Sequence, residues 1–128
     1  MDYFKGKKIT LMGLGLLGRG VGDAKFLAQS GANLIVTDLK SAKDLSPSLR
    51  KLKSCKLQVV TYILGRHRLE DFKDRDLIIK AAGVPPDSPF IAEARKNRIP
   101  VAMSTALFAK LSGARIIGVT GTRGKTTV

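Results

Sequence analysis

The sequence predicts a doubly wound α/β domain with a mainly parallel five-stranded sheet. Three observations carry this. Short apolar runs of strand length alternate with longer stretches of helical period, as when helices join parallel strands. A glycine-rich turn separates the first apolar run from the first helical stretch. The 128 residues, 44% hydrophobic and 26% charged, suit one ordinary folded domain and exclude disordered and low-complexity classes.

Lys8 to Met12 (KITLM) reads as the first strand. Leu16 to Ser30 then places Leu17, Val21, Ala24 and Ala28 on one helical face, and Gly31 stops the helix as a C′ residue. Leu34 to Thr37 (LIVT) forms a second strand ending at Asp38. Ser46 and Pro47 read as N-cap and first residue of a short basic helix, followed by a third strand, Leu57 to Tyr62. Leu77 to Ala81 is a fourth strand. Ser88 and Pro89 repeat the cap-then-proline signal before a helix through Phe90, Ile91, Ala94 and Arg95, and Pro100 to Met103 supplies a fifth strand. Ser104 opens another helix around Leu107, Phe108 and Leu111 that Gly113 breaks. Arg115 to Thr120 is a further apolar strand of a different unit. The expected organisation is one domain over 1–112, then the opening strand and loop of a second over 113–128.

Gly13, Gly15 and Gly18 fit G-x-G-x-x-G between a strand and a helix, the Rossmann-like context that gives this motif its meaning. Gly13 permits the tight turn, Gly15 lets a phosphate approach the backbone, and Gly18 lets the helix pack close to the sheet. The helix N-terminus then offers unpaired N–H groups to an anion. Asp38, 20 residues beyond Gly18 at the tip of the second strand, is where an acid accepts hydrogen bonds from a ribose or base. The turn serves NAD, FAD and nucleotide sugars alike, so an NAD-binding oxidoreductase half-domain and a non-enzymatic nucleotide-sensing module both remain open.

Gly121, Thr122, Arg123, Gly124, Lys125, Thr126 and Thr127 follow a strand and end in the G-K-T of a phosphate-binding loop. Backbone N–H groups would cradle phosphates, Lys125 would reach the β- and γ-phosphates of ATP, and Thr126 would place a hydroxyl on Mg²⁺. Val119 stands where the strict motif has its first glycine, so the loop is a variant based on Gly121.

The two turns at this spacing, with Asp38 between them, resemble the Mur ligases of peptidoglycan synthesis, most closely the branch that adds D-glutamate to UDP-N-acetylmuramoyl-L-alanine. The resemblance implies an N-terminal domain that holds UDP and the start of an ATP-binding domain. By position, Leu16 and Leu17 would offer backbone N–H groups to the diphosphate. Asp38, Leu39 and Lys40 would border the uracil, with Gly83 on its other side. It further implies that ATP phosphorylates the substrate carboxylate and that the amine of D-glutamate attacks the acyl phosphate, catalytic residues lying elsewhere. Another Mur-type amino-acid ligase is the neighbouring possibility. Leu17 replaces a common Thr or Ser, Lys40 a common Arg, and Arg123 a common Asn. Ala81 and Ala82 precede Gly83 where Ser-Pro is usual, and 104–107 lacks the family's acidic residue.

Twenty-three Lys and Arg against ten Asp and Glu give a net charge of +13, which attracts polyanions without selecting among them. The block from Lys40 to Lys56 has no interleaved aromatic residues, so it reads as a solvated helix face rather than a specific nucleic-acid site. No apolar stretch approaches a membrane span or a signal peptide. A single cysteine, Cys55, excludes an internal disulfide framework. A cytoplasmic protein is expected, with Cys55 incidental. His67, flanked by Arg66 and Arg68, reads as a surface histidine whose charged form the arginines disfavour. Glu70, Asp71, Asp74 and Asp76, mixed with Lys73 and Arg75, read as solvated surface.

Overall fold

The computed structural model describes residues 4–103 except 17, 55–59, 82 and 86. Five strands, β1 (Lys8–Met12), β2 (Asn33–Asp38), β3 (Val60–Leu64), β4 (Leu77–Lys80) and β5 (Val101–Met103), form one sheet in the order β3-β2-β1-β4-β5. Every pairing is parallel. The helices are α1 (Arg19–Gln29), α2 (Ser46–Ser54) and α3 (Pro89–Lys96), with a 3-10 turn at Leu69–Phe72.

The sheet separates two cores because strand side chains alternate between faces. Ile9 and Leu11 of β1, Leu34 and Val36 of β2, and Leu77 and Ile79 of β4 pack with Val21, Ala24 and Leu27 of α1 and Leu52 of α2. Met12 and Ile78 point the other way, onto Phe72, Ile91, Ala94 and Ile99. Thr10, also on that second face, donates its hydroxyl to the Asp71 carbonyl at 2.7 Å. The doubly wound parallel sheet expected from the sequence is thus the observed fold.

The departures are local and have physical causes. The first helix begins at Arg19 rather than Leu16, because Gly15 (φ +66°) and Gly18 (φ +95°) adopt the left-handed conformation and cannot continue a helix. Ser46 is the first residue of α2 rather than its cap, since the Leu45 carbonyl already accepts from the Leu49 N–H at 2.9 Å. Ser88 does cap α3, its hydroxyl accepting from the Phe90 N–H at 3.2 Å. The third strand runs past Tyr62 to Leu64, because Ile63 and Leu64 still pair with Thr37 and Asp38. The expected start of that strand at Leu57, Cys55, the Ser104 helix, the 115–120 strand and the Gly121–Thr127 loop lie outside the described residues.

The close approach of α1 assigned to Gly18 is made by Gly20, against the turn after β1 rather than the sheet itself. A Cβ on Gly18 would meet nothing within 4 Å, whereas one on Gly20 would come within 2.7 and 2.8 Å of the Leu14 carbonyl carbon and Cα. Gly20→Ala is therefore expected to destabilise the chain by about 2–3 kcal/mol through backbone overpacking. Exposed Gly22, also within α1, has open space around a Cβ, and Gly22→Ala should stabilise by about 0.5–1 kcal/mol through helix propensity. Urea unfolding of both variants checks the pair. Equal effects of the two substitutions would contradict the assignment of the close contact.

Candidate functional site

In parallel α/β sheets, ligand clefts form beyond the carboxyl ends of the strands, where the strand order reverses. Here the chain runs outward from β1 through β2 to β3, then returns to place β4 on the other side of β1. The loops after β1, β2 and β4 therefore diverge, and between them lies a cleft of about 1070 Å³. Gly13, Gly15, Leu16, Asp38, Leu39, Lys40 and Gly83 all line it, so the structure brings these seven expected residues together. Gly18 is not in the lining, and Leu17 lies outside the described residues.

The turn after β1 is fixed by Asp38. Oδ2 of its carboxylate accepts from the N–H groups of Leu14 at 2.8 Å and Gly15 at 3.0 Å, and Oδ1 accepts from the Lys40 N–H at 2.9 Å. Asp38 is 8% exposed, so these charge-assisted bonds replace the water that the carboxylate loses. Ser48 of α2 donates to the Gly15 carbonyl at 2.6 Å, and the Gly13 N–H donates to the Thr37 carbonyl at 2.8 Å. Gly13 itself is required twice over, by φ +103° and by Ala81, whose Cβ would lie 2.8 Å from a new side chain. Beyond Gly15 the backbone opens, since a Cβ there would meet nothing within 4 Å. The N-cap of α1 is Gly18, which has no side chain to cap the helix, and Gly20 and Asp23 of that helix border the cleft.

Apolar groups supply much of the remaining wall, among them Met12, Val84, Pro89 and Phe90. Leu16 and Leu39, 46% and 66% exposed, stand in the lining as large apolar side chains open to solvent. Lys80, half-buried at the end of β4, donates to the Val84 carbonyl at 3.3 Å. Among the described residues no group of His, Cys, Asp and Glu could hold a metal ion. The cleft thus joins a glycine turn, apolar surface and two lysines, Lys40 and Lys80, which suits binding an anionic ligand with a flat apolar portion.

His67 is not a surface histidine. It is half-buried in the cleft wall, with Nδ1 2.8 Å from the Thr37 hydroxyl and its ring edge-on to Phe72 and Phe90, at centroid distances of 6.4 and 5.2 Å. Burial lowers its pKa, and Asp38 and Asp71 oppose that shift. Arg68 is turned away, bound through Nε and Nη2 to both carboxylate oxygens of Asp71 at 3.0 and 2.8 Å. The acidic stretch is likewise not simply solvated. Asp71 is 2% exposed, and Asp76 accepts the Lys8 N–H at 2.8 Å. Arg75 donates through Nη2 to the carbonyls of Ile9 and Asn33, at 2.8 Å each. Among the described residues, the Asp74–Lys8 pair at 2.8 Å and the Glu70–Arg68 pair at 3.6 Å are the solvent-facing ion pairs of this stretch. By contrast, Lys43, Arg50 and Lys53 are exposed, as expected of a solvated basic face.

His67, Lys80 and Ser48 are the cleft-shaping residues that sequence reasoning missed. A lysine closing the apolar run LIIK and a histidine just past the end of a parallel strand were signals for the first two, because both positions fall at carboxyl strand ends. Ser48 gives no such signal.

Fold and cleft together define a doubly wound α/β domain with its site at the reversal of strand order. Residues 7–103 match the family model for the N-terminal domain of MurD-like Mur ligases, and the chain belongs to that family. It is 40% identical over 122 residues to the UDP-N-acetylmuramoylalanine–D-glutamate ligase of Roseiflexus sp. (strain RS-1), covering 95% of this chain and 26% of that protein. The ligase of the same name from Borreliella burgdorferi (strain ZS7) is 37% identical over 128 residues, 100% of this chain and 27% of the relative. The chain thus spans about a quarter of the length of these curated relatives. A pseudomurein peptide ligase type C from Methanothermus fervidus shares the fold, with a TM-score of 0.60 at 22% identity over 81% of this chain and 20% of that one.

The half-buried imidazole sets a pH dependence. Its folded-state pKa lies below the ordinary value of 6.5, so as pH falls through that value the unfolded chain takes up a proton that the folded chain resists. Stability should fall over this window and level off below the folded-state pKa. His67→Phe, which keeps a ring between Phe72 and Phe90, should show a shallower loss between about pH 7.5 and about pH 5.5 in urea unfolding. Equal slopes for the two proteins would contradict a half-buried, neutral His67.

Proposed function

We propose that this chain holds the UDP portion of UDP-N-acetylmuramoyl-L-alanine, as the N-terminal part of an ATP-dependent ligase that joins D-glutamate to it. The observation that carries the reading is the cleft itself: a glycine turn, a strand-end acid and the first turn of a helix with a glycine N-cap converge on it, in a chain belonging to the MurD-like family.

The role of each group follows from its partners. Leu14 and Gly15 spend their N–H groups on Asp38, so the diphosphate falls to the N–H groups of Leu16 and Leu17 and to the first turn of α1, whose dipole favours an anion. Asp38, Leu39 and Lys40 border the uracil, opposite Gly83. Asp38 acts there chiefly by shaping the turn, with one lone pair of Oδ1 left for a ligand donor. Lys80 places a positive charge in the same cleft.

The domain organisation, with 1–112 as the UDP domain and 113–128 opening an ATP-binding domain, belongs to the same reading. So do ATP and Mg²⁺, whose support is the sequence pattern Gly121, Thr122, Arg123, Gly124, Lys125, Thr126 and Thr127, a segment outside the described residues. In this reading the UDP domain alone joins no amino acid, and the enzyme works in the cytoplasm, where ATP is available.

Calorimetry with UDP, UDP-N-acetylmuramoyl-L-alanine and NADH tests the proposal. Saturable binding of both uridine ligands is expected, with NADH weaker by about tenfold or more, a difference of about 1.4 kcal/mol. NADH binding tighter than UDP would replace the ligase reading with that of an oxidoreductase half-domain. In a protein carrying the full length of its relatives, Lys125→Ala should abolish ligation and leave UDP affinity within about twofold. A matching loss of UDP affinity would contradict separate sites for the two ligands.

A further inference from the structure

Hydrogen-bond capacity separates the polar groups of the cleft. Asp38 has both lone-pair positions of Oδ2 filled by backbone donors and one of Oδ1 filled by Lys40, so a single lone pair of Oδ1 remains for a ligand and the carboxylate acts chiefly on the turn. Lys80 is a long, rotatable point charge, suited to anions rather than to a base edge. His67 differs from both because its orientation is fixed: Phe72 and Phe90 hold its ring, and Thr37 holds Nδ1.

Thr37 also defines the tautomer. Its hydroxyl carries one proton and lies near two groups, the Arg66 carbonyl at 3.2 Å and His67 Nδ1 at 2.8 Å. The carbonyl can only accept. Both contacts are satisfied together only if Thr37 donates to Arg66 and accepts from a protonated Nδ1. A neutral imidazole protonated at Nδ1 carries a lone pair at Nε2. His67 is one of the residues that line the cleft.

We infer that His67 is a specificity-determining residue of this cleft, its Nε2 accepting a hydrogen bond from the nucleoside of the bound nucleotide. This rests on the proposal that the cleft holds a uridine nucleotide. A lone pair at a fixed position favours a nucleoside presenting an N–H or O–H group and disfavours one presenting another acceptor there. Uracil offers an imide N3–H and the ribose offers hydroxyls, whereas cytosine has a bare N3. An unmet lone pair facing an acceptor discriminates more strongly than a missing apolar contact.

The test titrates the full chain with UDP, CDP and 2′,3′-dideoxy-UDP, and repeats the series with His67→Phe and Thr37→Val. His67→Phe keeps a ring in place and removes both nitrogens. Thr37→Val removes the hydroxyl that fixes the tautomer and leaves the imidazole present, so it still tests the inference if the first variant does not fold. The expected result is about a tenfold loss of UDP affinity in His67→Phe, the scale of one hydrogen bond, with a smaller loss in Thr37→Val.

A loss for UDP and dideoxy-UDP but not CDP supports the inference and assigns the donor to the base imide. A loss for UDP and CDP but not the dideoxy nucleotide supports it and assigns the donor to the ribose. Unchanged UDP affinity in folded His67→Phe, or an equal loss for all three nucleotides, overturns it. If the unsubstituted chain shows no saturable UDP binding, the nucleotide reading itself fails and takes this inference with it.

Discussion

The cleft depends on one interaction, the carboxylate of Asp38 gathering the N–H groups of Leu14 and Gly15 across the ends of β1 and β2. A turn with glycines at φ +103° and +66° is entropically costly to order and leaves its amides pointing away from any ladder. A buried acceptor-only group answers both problems, each charge-assisted bond contributing about 1.5–3 kcal/mol. Ser48 adds a second hold from α2 on the Gly15 carbonyl. The consequence for binding is directional. With the first two amides occupied, the diphosphate of the proposed ligand is assigned further along the turn, toward α1, rather than against β1.

The opposite ends of the strands are treated differently. Arg75 bridges the carbonyls of Ile9 and Asn33, while Asp76 and Asp74 hold the backbone and side chain of Lys8. Charged side chains thus latch the amino-terminal edge of the sheet, and Nε of Arg75 is buried there without a partner among the described residues. Burial lowers the pKa of that guanidinium, and the neighbouring aspartates Asp71, Asp74 and Asp76 oppose the shift. Polar groups at the amino-terminal edge close the structure, whereas those at the carboxyl edge line an opening.

Much of this was legible from residue pattern. The run KITLM became β1 with the bounds expected, because a buried parallel strand shows as an uninterrupted apolar segment. The glycine turn and Asp38 were legible because few residues tolerate left-handed backbone and few acids stand at strand tips. What escaped notice depends on contacts made across the fold. Gly20 is indistinguishable from Gly18 or Gly22 until the path of α1 over Leu14 is known. Arg68 looks like a neighbour that would repel a proton from His67, yet Asp71 draws it away. His67 itself stands in a polar stretch, and only the packing of Phe72 and Phe90 around it turns it into part of a wall.

The most direct measurement is amide hydrogen exchange at Leu14 and Gly15 in the unsubstituted chain and in Asp38→Asn. Asparagine keeps the shape of the side chain but replaces one acceptor oxygen with a donor, so it cannot accept from Leu14 and Gly15 on one side and Lys40 on the other. These two amides should exchange slowly in the unsubstituted chain and about tenfold or more faster in the variant, a difference of about 1.4 kcal/mol or more in local opening. Amides within β1 and β2, such as Thr10 and Val36, should keep their protection. Equal exchange at Leu14 and Gly15 in both proteins would show that the turn holds its shape without the carboxylate and would contradict this account of the cleft.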